Sequence, residues 1–303
     1  MQQYFGEISG ILTAIFWTVT SMAFESAGKR VGSLSVNLIR LFMAFFFIGI
    51  YSLVARGVFF PVDATLFNWK WLALSGIIGF TIGDLLLFQA FVEVGARISM
   101  LIMALTPPFT ALISWIIIGE SLSPMNWLGM AVTLTGIVLV ILKREESKEN
   151  GETRKRIKPG YAVRGILLAL GGALGQATGL VLSKKGMGSY DAFSASQIRV
   201  MAGIAGFTIL FFFMKRWNKV WTAFNNKPAM KRITLGAFFG PFLGVSFSLL
   251  SVQHTKAGIA STLMAIVPVL IIPPAVLIFK ERINWKEILG AIITVVGVAL
   301  FFL

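Results

Sequence analysis

Residues 96–142 read ARISMLIMALTPPFTALISWIIIGESLSPMNWLGMAVTLTGIVLVIL, and residues 257–303 read AGIASTLMAIVPVLIIPPAVLIFKERINWKEILGAIITVVGVALFFL. At an offset of 161 the two stretches align without a gap, and 13 of 47 positions are identical. Biased composition does not readily supply the pairs Pro107 with Pro268, Glu120 with Glu281, Gly129 with Gly290 and Gly136 with Gly297. The same offset places Ser75, Gly79 and Gly83 on Gly236, Gly240 and Gly244, and an offset of 159 sets Ile39-Arg40 on Ile198-Arg199. The chain is an internal repeat, and a repeat of this length decides the architecture.

Working outward, apolar stretches near the roughly 20 residues needed to span a bilayer recur along the whole chain. Ten are read: 7–27, 34–55, 69–91, 97–118, 124–142, 161–183, 191–214, 231–252, 257–279 and 285–303. No alternation of period two marks a membrane barrel, so the expected fold is an all-α integral membrane protein. The start, MQQYFGE, lacks a basic region, so the first stretch reads as a retained helix and not a cleaved signal. One segment is polar and basic, KREESKENGETRKRIKPG at 143–160, and it divides the chain into repeats 1–142 and 161–303. Five is odd, so the second repeat must enter the membrane from the opposite face. Ten transmembrane helices as two inverted five-helix repeats is the resulting expectation, a construction common in secondary transporters.

Composition narrows the function. The 303 residues are 56% hydrophobic and 13% charged, with mean hydropathy +0.82. Average soluble chains carry about 25% charged residues, so a single water-soluble domain is excluded. With no Cys and a single His, His254, thiolate and multi-His metal sites and Cys nucleophiles are excluded. No cofactor or metal is implied, and His254 reads as the solvated end of a helix. The net charge of +14 lies in short gaps between apolar runs, as for loops beside anionic lipid heads, so no nucleic-acid partner is expected. Grouped by side, 5 Lys and Arg fall with the N-terminus and 20 with the 143–160 linker. The positive-inside rule then places the linker in the cytoplasm of a cell-membrane protein and both termini outside.

With these features in view, both quoted stretches resemble the repeat of the EamA family of the drug/metabolite transporter superfamily. The shared marks are an Ala-rich fourth span with a mid-helix Pro, Gly-Glu or Lys-Glu at its end, and a Gly-spaced fifth span. The resemblance covers nearly the whole chain, once per half. It implies a multipass permease for small metabolites, amino acids or drugs, often outward, and for many members cytoplasmic termini, opposite to the charge asymmetry. It also implies that the first, third, fourth, sixth, eighth and ninth spans line a central cavity. Trp17 and Gln176, mates at offset 159, and Met103 and Met264 are then lining candidates, with Thr18 and Ser21 beside Trp17. Small multidrug transporters of the superfamily use a Glu inside span one. Here Glu7 and Glu25 lie near its ends, and Glu25, matched to Lys184, reads as an interfacial or gate contact.

The remaining candidates come from the residues themselves. Asp84 is a carboxylate well inside a span, where burial costs about 2.5–3.5 kcal/mol on insertion scales, so it faces a cavity or a partner. Its mate is Val245, so the repeat symmetry breaks there. Gln89 is expected near the same space. Arg40 and Arg199 lie about two turns inside spans two and seven. They fit snorkelling, interhelix bridging or contact with an anionic substrate. Pro107 and Pro268 fit paired hinges or fixed kinks. Ser75/Gly79/Gly83, Gly236/Gly240/Gly244 and Gly171/Gly175/Gly179 fit close helix packing. The expected partners are a small-molecule solute and the bilayer. Rival readings are a receptor or assembly subunit, which would need a larger extramembrane surface, and a membrane enzyme, which would need paired acids.

Overall fold

A computed structural model describes residues 4–93, 99, 102–149, 159–270, 272–273 and 285–302. Among these the chain is helical, with no strand. Helix α1 spans Phe5–Val31, α2 Ser33–Arg56, α3 Leu66–Gly76 and α4 Asp84–Glu93. Then come α5 Thr106–Ile118, α6 Pro124–Glu149, α7 Pro159–Met187, α8 Ala192–Met214 and the short α9 Trp217–Phe224. The rest are α10 Lys227–Ala237, α11 Val245–His254, α12 Ala257–Met264, α13 Val267–Leu270 and α14 Trp285–Ala299. Among the described residues six helices are long and apolar enough to cross a membrane: Phe5–Gly28, Ser33–Arg56, Leu66–Leu87, Val163–Met187, Ala192–Met214 and Lys227–His254. Thr106–Ile118, Pro124–Leu139 and Ile288–Ala299 are shorter apolar helices.

Two irregularities recur at the repeat offset. Between α3 and α4 the backbone runs as a π-helix over Ile77–Gly83, and between α10 and α11 as a π-helix over Phe238–Gly244. The Asp84 N–H donates to the Gly79 carbonyl and the Val245 N–H to the Gly240 carbonyl, five residues back in each case. Such widened turns concentrate at functional sites. The second irregularity is a break in each Pro-bearing span. Ala104-Leu105 forms a turn before α5, and Ala265-Ile266 forms one before α13. Pro107 therefore stands in the first turn of a new half-helix, where a missing N–H costs nothing. Expected as a hinge or fixed kink near the middle of the fourth span, it stands at the start of that span's second half.

Small residues set the packing, as they must where lipid offers no hydrophobic drive between helices. A Cβ on Gly175 would lie 2.8 Å from the Gly83 Cα, and one on Gly179 would lie 3.0 Å from the Gly79 Cα. The third and sixth predicted spans thus touch backbone to backbone. Ser75 Oγ, buried between them, lies 2.6 Å from the Gly179 carbonyl and 2.7 Å from Ser183 Oγ. In the other half, Gly240 and Gly244 meet side chains of α1, Thr20 and Trp17. Helices α6 and α14 pack antiparallel and reciprocally: Gly136 lies against Thr294, and Gly297 against Thr133. Those pairs exchange under the 161 offset, as in a contact across a two-fold axis.

The faces of the bundle follow from short contacts. Asn68 Nδ2 donates to the Gly186 carbonyl at 2.7 Å, Gln197 Nε2 to the Phe59 carbonyl at 2.9 Å, and the Phe5 ring meets His254 edge-on at 5.0 Å. The start of α1 thus shares one face with the 57–65 loop and the ends of α7 and α11. This terminal face lies opposite the face from which the 143–160 linker departs.

Candidate functional site

The interior charges gather around Asp84. It stands at the first position of α4, directly after the π-helix, with its side chain 8% exposed. One oxygen, Oδ2, pairs with Arg40 Nη2; the other, Oδ1, accepts from Gln176 Nε2 at 2.7 Å. Arg40 comes from α2 and lies over the Phe24 ring of α1, with Cζ 5.3 Å from its centroid. Arg40 and Asp84 are therefore bridged between helices, which satisfies the cost of placing each in the bundle.

Arg199 is the repeat mate of Arg40, and the structure treats it differently. Only 5% exposed, it rests over the Phe80 ring with Cζ 4.9 Å from the centroid. A Cβ on Gly79 would meet its Nη2 at 3.5 Å, so the guanidinium lies over the π-helix. Its Nε is buried without a hydrogen-bond partner among the described residues, as is the Nε of Arg40. Arg40 enters from the linker face, about two turns into α2, and Arg199 from the terminal face, about two turns into α8. The two arginines thus enter the interior from opposite faces of the bundle, and Arg40 alone of the two is shown paired with Asp84.

Gln176 and Trp17 occupy equivalent places. Gln176 packs its backbone beside Gly83 and bonds Asp84, whereas Trp17 lies against Gly244, next to Val245 in the chain. The repeat therefore makes a polar contact on one side and an apolar one on the other. Trp17 is half-buried and packs with Met264, which is 3% exposed, and with the residues at both helix breaks, among them Ala104, Ile266 and Val267. Thr18 Oγ1 donates to the Ala14 carbonyl at 2.8 Å. Met103 is half-buried just before the first break. Gln89 does not join this group: its side chain is exposed, and Nε2 donates to Glu93 Oε1 at 2.9 Å. One and a half turns of helix carry it past Asp84 to the next carboxylate. The side chains of Ser21, Glu25 and Pro268 lie outside the described residues.

A second cluster closes the terminal face, and Lys184 is at its centre. Lys184 Nζ pairs with Glu120 Oε1 and donates to the Thr255 carbonyl at 2.5 Å. Glu120 Oε2 accepts from the Ala257 N–H at 2.9 Å, and Thr255 Oγ1 donates to Glu7 Oε1 at 3.0 Å. Lys256 Nζ donates to the Ser121 carbonyl at 2.6 Å. The ends of α1, α5, α7 and α11 and the start of α12 are thereby tied together. Glu25 and Lys184 both lie near the C-terminal ends of their helices, but α1 and α7 run in opposite directions, so the two stand at opposite faces and Lys184 meets Glu120. For Glu120 the signals in the sequence are its repeat identity with Glu281 and its place in the Gly-Glu that ends the fourth span.

A bundle of membrane-crossing helices, broken at matching places in its two halves and carrying interior charges, defines the class of membrane transport proteins. The model of the EamA-like transporter family matches residues 4–142 and again 163–303, and the chain belongs to that family. Its helices long and apolar enough to cross a membrane accord with a multipass protein of that family. Solute carrier family 35 member G1 of Homo sapiens is 24% identical over 224 residues, which cover 74% of this chain. The match spans 60% of that relative's length. A solved crystal structure aligns over 98% of this chain and 96% of its own, with TM-score 0.75 and 19% identity, so the two share a fold.

Proposed function

We propose that the protein is a permease that exports small organic solutes, amino acids or related metabolites among them, by alternating access. In this reading its ten membrane segments form two inverted five-helix repeats, 1–142 and 161–303, joined by the basic linker 143–160. The solute occupies the space between the repeats, near Trp17, Thr18, Ser21, Met103, Gln176, Met264 and Asp84. Pro107 and Pro268 mark the half-helix starts that act as hinges. Lys184 serves one gate, and Glu25, its repeat mate, stands at the other end of the bundle. By the charge asymmetry, the linker face is cytoplasmic in the cell membrane and the latched terminal face is extracellular.

The observation that carries this reading is the paired irregularity of the backbone. Helix breaks at 104–105 and 265–266 and π-helices at 77–83 and 238–244 all obey one offset. Irregular backbone within a membrane is tolerated where protein or a cavity satisfies it. Two copies, one per repeat, supply what alternating access needs, because an exchange of the two halves' conformations opens the opposite face.

The test is flux of labelled amino acids and small metabolites in liposomes containing the purified chain, with and without a pH gradient. Saturable, protein-dependent movement of one solute class is expected. A folded protein that moves nothing across a broad panel would return the receptor reading.

A further inference from the structure

We infer that the transported solute carries a carboxylate and that Arg199 receives it; this rests on the permease reading. Charge arithmetic in the interior begins the argument. Among the described residues around Asp84, Arg40 and Arg199 bring two permanent positive charges and Asp84 one negative charge. Both oxygens of Asp84 are engaged, Oδ2 with Arg40 and Oδ1 with Gln176. The repeat mate that would have supplied a second carboxylate is Val245. Among the described residues Arg199 is left with the Phe80 face and a through-space attraction to Asp84, whose oxygens are already committed.

A guanidinium does not shed its proton in a protein, so Arg199 keeps its charge. Burying a charge without a hydrogen-bonded partner is costly, and inside a membrane such residues mark solute pathways. A carboxylate matches the planar fork of a guanidinium with two parallel hydrogen bonds. The surroundings suit an incoming group: Gly79 carries no side chain beside Nη2, and Nε lacks an acceptor among the described residues. Arg40 cannot take this role while Asp84 holds it. Asp84 thus reserves one arginine and leaves the other for the solute.

The arrangement makes two substitutions act in opposite directions. Arg199→Gln removes the receiving charge. Asp84→Asn removes the competing carboxylate and frees Arg40, so the site gains attraction for an anion. If Asp84 and Arg199 served only to hold the helices together, both changes would weaken binding alike.

The experiment uses the full chain in nanodiscs of zwitterionic lipid in low-salt HEPES buffer. Leucine, succinate, inorganic phosphate and leucinamide, which lacks the carboxylate, are titrated by calorimetry and thermal shift. The expected result is saturable binding of leucine or succinate and none of leucinamide. Affinity should fall about tenfold or more in Arg199→Gln, fall less in Arg199→Lys, and rise several-fold in Asp84→Asn. Asp84→Asn and Arg199→Lys carry the test should Arg199→Gln fail to fold. Equal carboxylate affinity in wild type and Arg199→Gln, weakened binding in Asp84→Asn, or binding of phosphate alone would each overturn the inference. Liposome flux separates it from the parent reading. Transport of leucinamide with indifference to carboxylates keeps the permease and removes the carboxylate, whereas Arg199-dependent binding without flux of any bound probe removes the permease.

Discussion

Gln176 and Asp84 meet at 2.7 Å, and their repeat mates are Trp17 and Val245. One half of the molecule closes this contact with a hydrogen bond to a carboxylate; the other places an indole and an aliphatic side chain at the same positions. The two repeats share a backbone design and differ in chemistry where they approach the interior. Asp84→Asn is accordingly expected to leave the fold intact, because Asn still accepts from Gln176 and the isostere fits. Loss of the charge beside Arg40 should lower turnover about ten- to a hundredfold, a hydrogen bond to a charged group being worth about 1.5–3 kcal/mol. The check is initial flux per folded protein in liposomes. Unchanged flux would remove Asp84 from the mechanism.

The latch at the terminal face predicts a shift in accessibility. Glu120→Gln removes the charge that Lys184 pairs with and weakens the acceptor for the Ala257 N–H. The chain has no Cys, so a single Ser261→Cys, buried beside Thr110, reports opening. A membrane-impermeant maleimide applied from that face should label it at least about fivefold faster in the Glu120→Gln background, for roughly 1 kcal/mol lost. Equal rates would show that the latch does not hold this face closed.

Gly175→Ala tests the backbone contact between α7 and the π-helix. The added Cβ would sit 2.8 Å from the Gly83 Cα, where no flexible side chain yields. Overpacking of this kind costs about 1–3 kcal/mol. A lower melting temperature is expected, with Gly28→Ala, whose Cβ meets nothing within 4 Å, as the control.

Pro107→Ala separates hinge from kink. Pro107 occupies the first turn of α5, so the folded state loses no hydrogen bond on substitution. Melting temperature should change little. Flux should fall several-fold if the break at 104–105 moves during transport, because Ala permits the helix to run through it. Wild-type flux at unchanged stability would make the break a fixed feature.

Acid should loosen the terminal face at Asp63, in the loop after α2. Burial pushes its carboxyl up, but the hydrogen bond from Tyr190 Oη at 2.9 Å and the pairing with Arg56 outweigh this and hold it below the ordinary carboxylate value. A lowered carboxyl contributes stability above the unfolded value, near 3.8, and loses it as pH falls through the folded value. The melting-temperature gap between wild type and Asp63→Asn should therefore be constant near neutrality and shrink below about pH 4. A gap that widens in acid would reverse the assignment.

Much of this was legible in one dimension. The identities between 96–142 and 257–303 gave the repeat, the apolar runs gave helices that cross a membrane, and Arg40, Arg199 and Asp84 stood out because charges inside apolar runs are costly. Pairing was not legible. Whether Arg40 snorkels or bridges depends on which helix lies beside it, and Gln89, expected near the same space as Asp84, bonds Glu93. The repeat names Glu25 as the mate of Lys184 but gives Lys184 no partner; the packing of α7 brings it to Glu120.

By itself the sequence determined the all-helical membrane class, the internal repeat and the residue types that break it, because period, length and hydropathy are local properties of the chain. Only the tertiary structure decided that Asp84 serves Arg40 and Gln176 while Arg199, among the described residues, has no carboxylate paired with it. It also set both prolines in the first turn after a helix break and placed the π-helices at matching positions of the two repeats. These depend on which backbones approach closely enough to exclude a Cβ or share a hydrogen bond, and that proximity is set by packing in three dimensions.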